Sequence, residues 1–194
     1  MISKQKRRNK MKQLRVKLFF VVCMALIIGS FPVASHAATA GEIDASVNAS
    51  LERFVNEVKG AQEFLDTAQG VLIIPKVIQG ALVVGAEYGE GALRIGGKTV
   101  AYYNIASASF GAQIGGEQKD IIIVFMSKTV LNKFRSSKNW RAGVNAKVTL
   151  INIGADQSLS TLKINKPVVG FVFGQKGLIA GATIEGSKFT KMKK

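Results

Sequence analysis

The sequence predicts an α+β domain: a curved, mainly antiparallel, barrel-like β-sheet with an N-terminal amphipathic helix and one short inserted helix. Two observations carry this. Apolar residues first recur in steps of three and four between Ile43 and Leu65; after Gly70 the pattern changes to short β-type runs divided by glycines. A second stretch with helical spacing, Ser127 to Lys138, interrupts those runs.

The first 37 residues read differently from the rest. Met1 to Lys17 carries eight basic residues and no acid, an apolar run follows from Leu18 to Ile28, and small residues come next. That order is the one a secretory signal peptide uses. The apolar run is shorter than the roughly 20 residues a spanning helix needs, so cleavage is expected rather than anchoring. Ser35 and Ala37 fit a cut after Ala37, while Ala38 and Ala40 allow one after Ala40. Met11 is an alternative start to Met1, since Lys12, Arg15 and Lys17 would still supply positive charge. The expected organisation is therefore a signal peptide over 1–37 and a single domain over 38–194, delivered to the periplasm or secreted.

Cys23 and His36 are the only cysteine and histidine, and both lie in that leading segment. Cys23 sits inside the apolar run, which does not suit lipidation. A domain without His or Cys excludes zinc sites, His-activated nucleophiles and histidine acid/base chemistry, and it has no disulfide to support its core. Of the carboxylates beyond the first helix, Glu87 with Glu90 and Glu117 with Asp120 form the close pairs. Their glycine-rich surroundings read as turns, and the pairs as solvated turn charges. No catalytic residue, cofactor or metal is expected.

Taken in order, Glu42 to Thr67 is predicted as one helix, with Ile43, Val47, Leu51, Phe54, Val58, Ala61 and Leu65 on a single stripe. Thr39 followed by Glu42 offers a capping box, and Gly70 a stop. Six acids against two bases between Glu42 and Asp66 suit a helix packed on a sheet better than one attracted to anionic headgroups. Strands are expected at Val71 to Pro75, Ala81 to Tyr88, Ala92 to Ile95, Thr99 to Ile105, Ser107 to Ile114 and Ile121 to Met126. Gly96 and Gly97 are read as a hairpin turn, since two residues with positive φ suit glycine. Glycines inside the runs, Gly85, Gly89, Gly91 and Gly111, suggest bulges and strong curvature. After the inserted helix, strands resume at Arg141 to Ile153, Thr161 to Ile164, Val168 to Gly174, Leu178 to Ile184 and Lys188 to Met192.

Charge is divided unevenly. The whole chain carries 27 basic and 12 acidic residues, a net of +15. Beyond the leading segment, Ala38 to Asp120 has a net charge of −4 and Ile121 to Lys194 a net of +11. Such asymmetry points to an anionic partner, either a membrane surface or nucleic acid.

Seven strings in order resemble the SYLF domain family: GVLIIP (Gly70 to Pro75), EYGEG (Glu87 to Gly91), GGKTVAYYN (Gly96 to Asn104), SASFGAQIG (Ser107 to Gly115), KFRSSKNW (Lys133 to Trp140), VFGQKGLIAG (Val172 to Gly181) and EGSKFT (Glu185 to Thr190). The resemblance implies a lipid-binding domain. Yeast-type members also bind actin, but this chain, with its secretory signal, resembles the bacterial branch, for which an intracellular partner such as actin is not expected. Family accounts often place lipid contact on the first helix; the acidic polar face here departs from that pattern.

The expectation is thus a peripheral phospholipid-binding module of the cell envelope, docking on anionic headgroups through Lys133, Arg135, Lys138, Trp140, Arg141, Lys188, Lys191, Lys193 and Lys194. Two alternatives stand beside it. Eight to ten short strands behind a signal peptide would suffice for a small outer-membrane β-barrel or a structural envelope protein. Nucleic-acid binding fits the charge but has no recognisable reading motif and does not suit export.

Overall fold

The computed structural model describes residues 38–81, 84–110, 115–153, 159, 165–176 and 184–194. The proposed signal peptide lies outside the described residues, as do most of the expected strands at Thr161 to Ile164 and Leu178 to Ile184. The domain is α+β, as expected: an eight-stranded, strongly curled half-barrel sheet with helices against it.

Helix α1 spans Ala40–Glu57. Its start is the expected capping box, in which the Thr39 N–H donates to Glu42 Oε2 at 2.7 Å and the Glu42 N–H donates to Thr39 Oγ1 at 3.3 Å. The backbone bond from Thr39 holds the Glu42 carboxyl below its usual range. The expected single helix is in fact two. Val58 is extended and Gly60 takes the left-handed conformation at φ 84°, after which α2 covers Ala61–Asp66. Val58 and Ala61, on either side of Gly60, are both buried, so the apolar stripe runs on through a segment that is not helical.

The strands are β1 Gly70–Ala81, β2 Val84–Ile95, β3 Lys98–Phe110 and β4 Gly115–Phe125. The inserted helix α3 follows at Lys128–Ser136, and then come β5 Asn139–Arg141, β6 Thr149–Asn152, β7 Val168–Lys176 and β8 Lys188–Met192. Their order across the sheet is β5-β8-β3-β2-β1-β4-β7-β6, antiparallel throughout except for β6 with β7. Several expected short strands are halves of long ones. Gly89 and Gly91 do not end β2; they let it pass close over β1, where a Cβ on Gly91 would lie 1.9 Å from the Ile73 carbonyl oxygen. By contrast, the expected long strand from Arg141 to Ile153 is two, separated by a turn in which Gly143 has φ 80°. Gly96 and Gly97 form the β2–β3 turn, with φ 56° and 76°.

Both faces of the central strands are covered, which is why Leu72 to Ile74 and Ile121 to Phe125 are uninterrupted apolar runs. On one face Ile43, Val47, Phe54 and Val58 of the helical segment pack on Ile73, Ile122, Val124 and Phe171. On the other, Leu131 and Phe134 of α3 pack on Leu72, Ile123 and Phe125. Phe134 centres an aromatic cluster there, with ring centroids 4.7 Å from Tyr103, 4.8 Å from Phe125 and 5.3 Å from Trp140. Beyond these covers the strands run on, at the end holding Ile78, Tyr88 and Ala106, with one face open to solvent.

Candidate functional site

The nine residues expected to meet lipid do not form one patch. Lys133 and Arg135 lie exposed on α3, whose apolar side fixes them outward, and Lys138 is exposed just after it. Arg135 is near Tyr103, where burial pushes the phenol up and the guanidinium opposes that shift. Lys191, exposed on β8, is in register with Tyr103. Strand alternation puts Arg141 and Lys188 on the opposite face of the sheet, because their neighbours Trp140 and Phe189 point into the core around Phe134. There Arg141 and Lys188 are direct cross-strand partners. Like charges in that arrangement repel unless a counter-charge lies over them. Lys193 is exposed.

Two of the nine are placed otherwise. Trp140 is 2 % exposed, its ring 5.5 Å from Phe189 and 5.3 Å from Phe134, so it is a core residue. Lys194 turns back on the domain, with Nζ donating to the Ala38 carbonyl at 2.5 Å and lying 3.2 Å from Glu90 Oε2. Its ammonium is already neutralised.

The reading of Glu87 and Asp120 as solvated turn charges is corrected, since both lie in strands and both are buried. Asp120 accepts hydrogen bonds from Ser50 Oγ at 2.5 Å, from the Lys76 N–H at 3.0 Å and from Arg53 Nη2. It thereby holds α1 to a bulge in β1, where Lys76 has φ 50°. Glu87 accepts from Ser107 Oγ at 2.7 Å and lies 3.1 Å from Lys119 Nζ, itself 2 % exposed. Burial pushes the Glu117 carboxyl above its usual range; Lys119 opposes this shift and Glu87 adds to it. A buried ion pair needs such company, because desolvation otherwise outweighs the attraction. The sequence signal for both nodes is the alternation of β4, visible only once Gly115–Phe125 is known to be one strand.

Two clefts flank α1. One, of about 320 Å³, has apolar walls including Leu65 and Val71, with Arg94 at its side. The other, of about 350 Å³, lies between α1 and the β1 bulge and is lined by Arg53, Lys76, Gln118 and Lys176. The second is basic and gathers residues from four elements, none of which the sequence singled out. Among the described residues no helix is long and apolar enough to cross a membrane.

Residues 106–194 match the family described as Ysc84, Las17-binding protein actin regulator. No curated protein matches the chain. The folded unit is larger than the matched span, because β1 and β2, which precede it, lie between β3 and β4 in the sheet.

Proposed function

We propose that this chain, whose residues 106–194 belong to the Ysc84 (SYLF) family, is a non-catalytic module of the bacterial cell envelope that docks on anionic phospholipid headgroups through the basic residues of its C-terminal half. The observation that carries this reading is the state of those cations. The ion pairs among the described residues use Arg53, Lys119 and Lys194. Lys133, Arg135, Lys138, Arg141 and Lys191 stand exposed, and Arg141 is set directly beside another cation, Lys188. Cations set side by side without an ion pair, as Arg141 and Lys188 are, suit a partner that supplies the counter-charge.

The same reading takes residues 1–37 as a cleaved export signal and places the domain in the periplasm or outside the cell, peripherally bound. The absence of a catalytic role is supported by the engagement of Glu87 and Asp120 with structural partners. A membrane-spanning barrel is the weaker reading, since its outer face must be bare for lipid and here helices cover both faces of the central strands, α1 one and α3 the other. Actin regulation, which the family description names, would require a cytoplasmic setting that an export signal does not give.

Each basic residue close to an anionic bilayer contributes about 1 kcal/mol. Reversing Arg141 and Lys188 together to Glu is therefore expected to weaken binding to phosphatidylglycerol-containing vesicles by at least about thirtyfold. Added salt should weaken the unaltered protein too, through screening beyond about 8 Å at physiological strength. Co-sedimentation across a salt series checks both. Equal binding to phosphatidylcholine and phosphatidylglycerol vesicles would sink the electrostatic part of the proposal.

A further inference from the structure

The outward face of the sheet beyond α1 departs from what a solvated antiparallel sheet normally shows. Such a face alternates apolar inward and polar outward. On β1 to β4 the outward positions here are Ile78 and Gly80, Ala86 and Tyr88, Ala106 and Ala108, and Gly116 and Gln118. None carries a charge. Ile78 is 61 % exposed and Tyr88 50 %. The register makes this a continuous surface, because Gln118 is opposite Ile78, Ile78 opposite Tyr88, and Tyr88 opposite Ala106.

The same cross-strand row ends in cations on both sides. Gln118 is paired with Lys176 on β7, and Ala106 with Lys188 on β8, which is itself paired with Arg141 on β5. At about 4.8 Å per strand, Lys176 and Lys188 are roughly 24 Å apart along the sheet. The basic cleft of Arg53, Lys76 and Lys176 opens at the first end. The acid bordering the apolar centre, Glu90, is neutralised by Lys194 and accepts the Tyr88 hydroxyl at 2.7 Å.

We infer that this row is the face that meets the bilayer: Ile78 and Tyr88 enter the interface between headgroups, while Lys176 on one side and Lys188 with Arg141 on the other bind lipid phosphates. The inference rests on the lipid reading above and assigns it an orientation, with the α1 side of the sheet facing the bilayer and α3 on the opposite face. Large apolar side chains exposed side by side, rather than singly, mark an interaction site. Charge decides the occupant. A second copy stacked face to face with its row aligned would bring cationic ends against cationic ends in either direction. A bilayer offers an apolar layer beneath a plane of anions, and a tyrosine suits that boundary with its apolar ring and polar hydroxyl.

The test uses the protein as exported, after removal of the leading segment that carries Cys23 and the Leu18 to Ile28 run, with vesicles of phosphatidylglycerol and phosphatidylcholine. The double variant Ile78→Asp, Tyr88→Ser is expected to bind at least about tenfold more weakly than the unaltered protein, since it removes the apolar contact and adds a repelling charge. Its melting temperature should stay within a few degrees, because both side chains are largely exposed. Val100→Asp, at an exposed apolar position near the other end of the β2–β3 hairpin, should bind normally. As a second readout, a polarity-sensitive dye on Ile78→Cys should shift to the blue when vesicles are added. Undiminished binding by the double variant, or no dye shift on protein that sediments with vesicles, overturns this inference and leaves the lipid reading standing. No vesicle binding by the unaltered protein overturns both. A double variant that changes oligomeric state in light scattering while keeping its vesicle affinity assigns the face to a second copy instead.

Discussion

Replacing Asp120 with Ala is expected to lower the stability of the domain by about 3 kcal/mol, enough to reduce the melting temperature by roughly 10 °C. The carboxylate is 1 % exposed and serves three donors on two elements. Removing it strands the Ser50 hydroxyl and the Lys76 N–H without an acceptor, at about 1–3 kcal/mol for each buried group left unmade. Arg53 contributes less, because its side chain is 41 % exposed and water can replace the lost partner. Asp120→Asn keeps an acceptor oxygen and should recover part of the loss. Thermal and urea melts of both variants measure this; a loss below about 1 kcal/mol for Asp120→Ala would show that the β1 bulge is held by packing alone.

Gly91→Ala should be at least as damaging, costing about 3 kcal/mol or more. The added Cβ would sit 1.9 Å from the Ile73 oxygen and 2.7 Å from the Ile74 Cα. Those are backbone atoms in the middle of the sheet, so no side-chain rotation relieves the clash. The β1 and β2 strands would have to separate where register already shifts between Ile73 and Ile78. Gly80→Ala is the matching control. It lies on the same strand pair with no atom within 4 Å of the new Cβ, so its effect should stay within about 1 kcal/mol. Similar losses at the two positions would mean that strand glycines matter here through backbone freedom rather than clearance.

Gly91 also shows where the sequence was legible and where it was not. The change of period after Gly70, the Gly96–Gly97 turn and the capping box at Thr39 all act locally, and each appears in the structure where it was expected. Gly89 and Gly91 act on a neighbouring strand, so from sequence they resembled interruptions and cut β2 in two. The same limit explains the buried carboxylates. Glu87 and Asp120 read as turn residues only while the glycines around them read as turns.

The outward direction of Lys133 and Arg135 was legible from helical spacing, since Leu131 and Phe134 fix the inner side. Trp140 could have been placed by alternation, because a residue between two exposed polar neighbours in a strand must face the other way. Lys194, tied to Ala38 and Glu90, could not be, for its partners lie 156 and 104 residues away. Nor could the row from Lys176 to Arg141, which exists only through the pairing of seven strands.

The strand order also constrains how the domain assembles. Strands β1, β2 and β3 form a meander that can grow from its own hairpins. Both flanks then come from the C-terminal half, β4 with β7 and β6 on one side and β8 with β5 on the other. Closing those flanks brings together residues far apart in the chain, such as Tyr102 with Met192, at an entropic cost that slows folding. Until β8 arrives, β3 has an open edge and β5 has no partner strand. A chain cut short before Lys188 would therefore lose two strands rather than one, and would present the long edge of β3 to other chains as a template for aggregation.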